Sequence, residues 1–215
     1  MKIRDISPRL HPGLEVFPGD APFRRQEQVD ADGVCVSTLS GTAHLGAHLD
    51  APGHVLPGAP RLDALPLDRF IGPCQVLHLS LAARARAGAG CLAGRSLRAR
   101  RVLIRTDSIP DPAGWMGACS GLSADLIVAL AEQGVELVGI DTPSVDPFGA
   151  PLEAHRAAAA RGIVLLEGLA LAEVPEGCYT LLALPLAIQG AEASPVRAVL
   201  LDAPGGGPLP GLGCP

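Results

Sequence analysis

Three of the six histidines in this 215-residue chain fall within the eleven residues HLGAHLDAPGH, 44 to 54, around a single aspartate, Asp50. Imidazole nitrogen and carboxylate oxygen are the donor set of zinc and its first-row neighbours. An aspartate has two oxygens and so can bridge two ions. No cysteine lies in the segment, which argues against a closed thiolate-type structural zinc site. Open histidine–carboxylate sites keep a position for water, and the metal lowers its pKa towards neutrality, which yields hydroxide at physiological pH.

The spacing restricts the backbone that can carry these groups. On a helix His44 and His48 would share a face, but Asp50 and His54 would lie roughly 240° and 280° further round. Pro52 and Gly53 also break a helix. In an extended chain, positions 44, 48, 50 and 54 all point to one side. A straight strand would hold His44 and His48 about 13 Å apart, too far to share an ion. The chain must bend, and Gly46, Pro52 and Gly53 supply the means. The spacing predicts a kinked extended segment aiming four polar heads at one point.

Other elements must hold that segment in place. VCVSTLS (34–40) alternates and predicts a strand leading into it. CQVLHLSL (74–81) predicts a strand after a turn at Gly72 and Pro73, and RVLIRT (101–106) a buried strand. SADLIVALAEQGV (123–135) has helical spacing, with Ser123 as N-cap and Gly134 as the stop. VELVGID, GIVLLEGL, CYTLLALPL and PVRAVLL read as strands, and LEAHRAAAARGI (152–163) as a helix stopped by Gly162. The N-terminal MKIRDISPRLHPG reads as a strand and a turn. ARARAGAGC (83–91) reads as a low-complexity loop. Strands outnumber helices, and the helices fall between strands, which predicts one mixed α/β domain over 1–203. A Gly/Pro-rich tail over 204–215 is expected to be disordered.

Composition narrows the classes. The chain is 48% hydrophobic and 18% charged with a net charge of −5, so nucleic acid and anionic membranes are not expected partners. The N-terminus lacks signal-peptide features, no apolar run reaches a membrane span of roughly 18 residues, and a cytoplasmic protein is expected. The six scattered cysteines, without a CxxC pair, are read as reduced, with Cys35 and Cys74 acting as small hydrophobes inside strands. GxSxG, GxGxxG and P-loop motifs are absent from the sequence. His78 reads as a packed core residue and His11 as a surface one. On local pattern alone His155 reads as a surface helix position, and Glu167, after IVLL, as a buried carboxylate that needs a partner. Asp141 and Asp146 fit either support of the site or strand-end turn chemistry.

HLGAHLDAPGH, with FPGDAP (17–22), LPLDRFIGPCQVLHL (65–79), GIDTPSVDP (139–147), the pair His155 and Glu167, and ALPL followed by SPVRAVL, resembles the cyclase-type metal-dependent hydrolases. Within them it is similar to the bacterial kynurenine formamidase subgroup. The resemblance implies an α/β fold with a barrel-like mixed sheet and flanking helices. It implies two divalent ions, usually zinc: His44, His48 and Asp50 on the first, Asp50 and Glu167 bridging, and His155 completing the second. His54 would be the proton-transfer residue. The implied reaction is hydrolysis of N-formyl-L-kynurenine to kynurenine and formate, by a homodimer with its site near the subunit contact. Phe17 stands where that subgroup carries tryptophan at a substrate-contacting position, so the indole N–H is lost and fine specificity is open. Ala47 replaces a frequent threonine that is not a ligand. The alternatives are a sister hydrolase acting on another amide, an isatin-like lactam or a cyclic imide, and a metal-binding protein without catalysis.

Overall fold

Runs such as RVLIR and VLLE, apolar at successive positions, suit strands covered on both faces. In the computed structural model, which describes residues 1–108 and 119–202, they lie in a nine-stranded mixed sheet. The described strands are β1 (Lys2–Asp5), β2 (Arg24–Val29), β3 (Cys35–Ser40), β4 (His48–Asp50), β5 (Ile71–His78), β6 (Arg86–Ala87), β7 (Arg101–Arg105), β8 (Gly121–Leu122), β9 (Leu137–Ile140), β10 (Val164–Glu167), β11 (Gly177–Leu182), β12 (Ala193–Pro195) and β13 (Val199–Asp202). The described helices are α1 (Ala124–Glu132) and α2 (Glu153–Ala160), with short 3-10 turns besides. The main sheet runs β1-β13-β11-β5-β7-β9-β10-β4-β12 and curls into a half-barrel. Its centre, β5-β7-β9-β10, is parallel, and the flanking pairs are antiparallel.

Side-chain alternation divides the core into two layers. Leu103, Leu137, Val164 and Leu166 face a cluster with Leu49, Phe70 and Tyr179. Val102, Ile104, Val138, Ile140 and Leu165 face the opposite way, against Leu126, Ile127 and Leu130 of α1 and Ala154 and Ala158 of α2. Each fully buried side chain of this size contributes about 1.5–3 kcal/mol relative to exposure. The same parity places the site. Leu49 belongs to the first layer, so His48 and Asp50 on either side of it point to the helix-covered face. The register pairs His48 with Glu167 and Asp50 with Leu165. The site therefore forms where β4 meets the C-terminal end of β10, beneath α2.

Several boundaries differ from the sequence reading. Gly72 and Pro73 lie inside β5, not in a turn before it. Pro73 precedes the first register pair with β7, Cys74 with Arg101, so its missing N–H interrupts no bond on that side. ARARAGAGC is not a loop, since it holds β6 and the start of a 3-10 turn. PVRAVLL is split between β12 and β13. Ser123 occupies the N-cap position of α1 without capping it, because its hydroxyl turns to Ala87 O, at 2.8 Å, and the Asp125 carboxylate, which compete for its one hydrogen. Cys35 is exposed, while Cys74 is buried as expected. The cause is the β2–β3 hairpin, whose strand residues are all exposed, so the alternation of VCVSTLS meets no core. Among the described residues no helix is long and apolar enough to cross a membrane. The 204–215 tail and Cys214 lie outside the described residues.

Candidate active site

The kink required by the sequence is built at Gly46. Its φ of +56° is a left-handed conformation, and a Cβ there would stand 2.7 Å from the Leu10 side chain. Opposite it, Gly168 (φ +69°) follows Glu167 directly, and a Cβ on it would lie 2.2 Å from Gly46 O. Two glycines thus let the metal-type segment and the end of β10 touch backbone to backbone. The segment then straightens into β4 for His48 and Asp50. It bends again into a 3-10 turn, Pro52–His54, which swings His54 back towards the others. The His44 and His48 rings come within 5.2 Å, centroid to centroid, against the far larger span of a straight strand. His44 and His54 lie at 4.5 Å, and His54 and His155 at 5.9 Å.

Five of the residues singled out in the sequence, His44, His48, His54, His155 and Glu167, gather around the sixth, Asp50. His44 Nδ1 is 3.0 Å from Asp50 Oδ1, and His48 Nε2 is 3.7 Å from the same oxygen. His155 Nε2 is 3.7 Å from Asp50 Oδ2 and 3.3 Å from Glu167 Oε1. His48 Nε2 is 3.4 Å from Glu167 Oε2. His155 is 4% exposed, so the surface position read from its local pattern is incorrect: α2 turns that face onto β10 and the Pro52–His54 turn. Phe17 lies at the mouth of a cavity of about 240 Å³ that holds these residues, and packs against Phe148 with centroids 5.6 Å apart. Leu14, Val16, Leu152 and Leu169 add an apolar wall.

The donor set fits metal ions. Both Asp50 oxygens are buried and neither has a hydrogen-bond partner, although His44 Nδ1 lies 3.0 Å from Oδ1. A buried carboxylate with no donor is costly unless a cation faces it. His44, His48 and Asp50 form one set of donor atoms within 4.8 Å of one another, and Asp50, His54 and His155 form a second. The ring nitrogens turned away from Asp50 are occupied: His48 Nδ1 meets Gly46 O at 3.0 Å and His155 Nδ1 meets Asp146 Oδ2 at 2.7 Å. That leaves Nε2 of each facing the carboxylates, the arrangement of a metal-ligating imidazole. Glu167 Oε1 accepts the Val145 backbone N–H at 2.7 Å.

The buried carboxylates govern the titration of the histidines around them. Burial opposes the charged form of His48, but Asp50 and Glu167 outweigh it and push its pKa up to about 9. His155 is likewise raised to about 10, with Glu167, Asp146 and Asp50 overcoming burial. Asp50 is held well below the usual carboxylate range: burial works against it, and His48, His155 and His44 prevail. His54 goes the other way, lowered by its partial burial and by the neighbouring His44 and His155.

Asp146 is the residue whose part was left open by the sequence. It is buried and joins His155 to Arg86, whose Nη1 donates to Asp146 Oδ1 at 2.5 Å. The available signal was at the start of α2, where Leu152 occupies the N-cap position and cannot cap. The missing cap is supplied from Asp146, which accepts the backbone N–H groups of Ala154 and His155. Nothing in ARARAGAGC marked Arg86. Asp141 instead holds the turn after β7, accepting from Thr106 Oγ1 at 2.7 Å and from the Thr106 and Asp107 N–H groups. His78 hydrogen-bonds Val174 O at 2.8 Å away from the site, and His11 is exposed.

The Cyclase family model ("Putative cyclase") matches residues 4–147. The kynurenine formamidase of Paracidovorax citrulli is 43% identical over 204 residues, spanning 91% of this chain and 94% of that protein. A solved structure described as a potential metal-dependent hydrolase with cyclase activity superposes with a TM-score of 0.82 at 26% identity, covering 94% of this chain and 98% of the other. Isatin hydrolase A from Labrenzia aggregata also gives a TM-score of 0.82 at 26% identity, covering 93% of each chain. The chain belongs to the Cyclase family.

Proposed function

We propose that the protein hydrolyses N-formyl-L-kynurenine to kynurenine and formate with two divalent ions, zinc by donor type, held in the Asp50 cluster. The observation that carries the catalytic reading is Asp50, a buried carboxylate whose two oxygens accept no hydrogen bond and face three imidazoles. The substrate follows from the 43% identity to a kynurenine formamidase over nearly the whole chain. In this reading His44, His48 and Asp50 would hold one ion and His155 the other, with Asp50 and Glu167 available to both. Such ions activate water and polarise a carbonyl oxygen when bound.

The remaining work falls to the protein's own groups. His54 is partly open to the cavity, and its lowered pKa keeps Nδ1 and Nε2 sharing one proton at neutral pH. It can therefore accept a proton and pass it to the departing aniline nitrogen. The apolar wall of Leu14, Val16, Phe17 and Leu169 covers the aryl ring and limits water around the formyl carbon. In the dimer of this reading, the β2–β3 hairpin packs on a second copy. A lone two-stranded ribbon is marginal in water, and this one exposes Val29, Val34, Val36 and Leu39.

Hydrolysis of a lactam is the second reading, favoured by the superposition on isatin hydrolase A. It ranks lower because that likeness is 26% in sequence against 43%. Parallel assays of N-formyl-L-kynurenine and isatin with the purified, zinc-loaded protein test the choice. A kcat/KM for the formamide at least a hundredfold higher is expected. A preference for isatin would overturn the formamidase reading and leave the hydrolase one.

A further inference from the structure

The Asp146 carboxylate ties the start of α2 to β6, and of the groups that meet there only His155 also faces Asp50 and Glu167. Asp146 Oδ2 accepts from His155 Nδ1 at 2.7 Å and from the His155 backbone N–H at 3.1 Å. Oδ1 accepts from Ala154 N–H at 3.2 Å and from Arg86 Nη1 at 2.5 Å. The Arg86 guanidinium also donates to Leu122 O at 2.8 Å and Pro151 O at 3.2 Å. Arg86 therefore pins the small β6–β8 sheet, the turn before α2 and Asp146 to one another. The Asp146 side chain is fully buried, and that of Arg86 is 23% exposed.

We infer that Arg86 is a positioning residue for the metal site, acting through Asp146 on the orientation and tautomer of His155. The inference rests on the reading of His155 as a ligand. A ligating imidazole must present a bare nitrogen, and the hydrogen bond at its other nitrogen selects which one. Asp146 places the proton on Nδ1 and turns Nε2 to Asp50 and Glu167. Asp146 can do so only as a fixed anion, and a buried anion needs a partner. Arg86 is that partner, and its planar fork holds Asp146 and two carbonyls at once, which a lysine ammonium reproduces poorly.

A matched set of residue types on the other side of the site gives an internal control. His44 Nε2 faces Glu192 Oε1 at 3.8 Å, and Glu192 Oε2 faces Arg61 Nη1 at 3.6 Å. Those separations exceed hydrogen-bond length, and both Glu192 and Arg61 are more than a third exposed. Of these two histidine–carboxylate–arginine arrangements among the described residues, the buried one is tight enough to orient a ring and the exposed one is not.

The test is Zn²⁺ titration of the chelated full-length protein against a chromogenic competitor, for wild type, Arg86→Gln, Arg86→Lys and Arg61→Gln, with kcat and KM on the loaded proteins. Arg86→Gln is expected to weaken one of two Zn²⁺ equivalents roughly 10–100-fold, to lower kcat and to leave KM near wild type. Arg86→Lys should recover part of the affinity, and Arg61→Gln should stay within about twofold. If Arg86→Gln does not fold, Arg86→Lys decides alone, and wild-type Zn²⁺ affinity there contradicts the role. Two tight equivalents in wild type with an unchanged Arg86→Gln overturn this inference and leave the metal reading standing. Wild type that binds no Zn²⁺ overturns both.

Discussion

His48, Asp50, Glu167 and His155 are buried on β4, β10 and α2, whereas His44, His54 and Phe17 stand part-open on a loop, a 3-10 turn and the cavity mouth. The buried half is fixed by sheet register, by backbone donors and by Asp146. In the open half ring contacts are prominent: His54 packs on His44 and His155, Phe17 packs on Phe148, and His44 also reaches Asp50 at 3.0 Å. The difference assigns a division of labour. In the proposed reading, the groups that concentrate charge are locked into regular elements, whereas His54 and Phe17, the groups assigned to the substrate, stand partly open to the cavity.

The comparison breaks most severely if the centre is removed. Asp50→Asn keeps the shape but removes the charge that faces three imidazoles, and both turnover and bound metal are expected to fall. A loss of about 4 kcal/mol of transition-state stabilisation corresponds to about a thousandfold in rate. Metal analysis and kcat/KM on the same preparation check it, and wild-type metal content in the variant counts against Asp50 as a ligand. His54→Ala sharpens the contrast from the other half. Turnover should fall about 10²–10⁴-fold while metal content stays at the wild-type level. Parallel loss of metal would move His54 into the ligand set, which its donor atoms near Asp50 and His155 permit geometrically.

A pH experiment reads the buried half directly. His48 and His155 are raised to about 9 and about 10 in the metal-free fold, from an ordinary value near 6.5. Protons on these rings therefore stabilise the chelated fold fully below about pH 6.5, and that contribution is lost as pH rises through 9 and 10. Asp50, shifted down, contributes above its ordinary 3.8 and loses its effect only in acid, outside this window. Thermal melts of chelated protein should show Tm falling between pH 6.5 and 10, and zinc-loaded protein a flatter curve because ions replace the protons. A chelated Tm that rises with pH would contradict the charge arrangement. The smallest effect is expected at the rim. Phe17→Trp changes one ring on the cavity wall and should shift KM for the formamide by no more than about tenfold, with kcat near wild type.

The open and buried halves were not equally legible in the sequence. The one-sided spacing of His44, His48, Asp50 and His54 could be read directly, because parity and the bend at Gly46 are local properties. The βαβ order around α2 was legible for the same reason. His155 and Glu167 came together only through resemblance: one lies on an alanine-rich helix, and its burial depends on which face α2 lays on β9 and β10. Asp146 and Arg86 are 60 residues apart, and nothing local links them. The exposed β2–β3 hairpin shows the converse limit, since an alternating pattern specifies a strand but not that a core lies beneath it.

The central claim is that the Asp50 cluster is a metal site that hydrolyses a formamide. The most direct measurement is turnover of N-formyl-L-kynurenine by purified protein with metal content determined on the same sample, before chelation, after it, and after Zn²⁺ is restored. About two ions per chain, loss of both ions and turnover on chelation, and recovery with Zn²⁺ are expected. Undiminished turnover in fully chelated protein would contradict the claim.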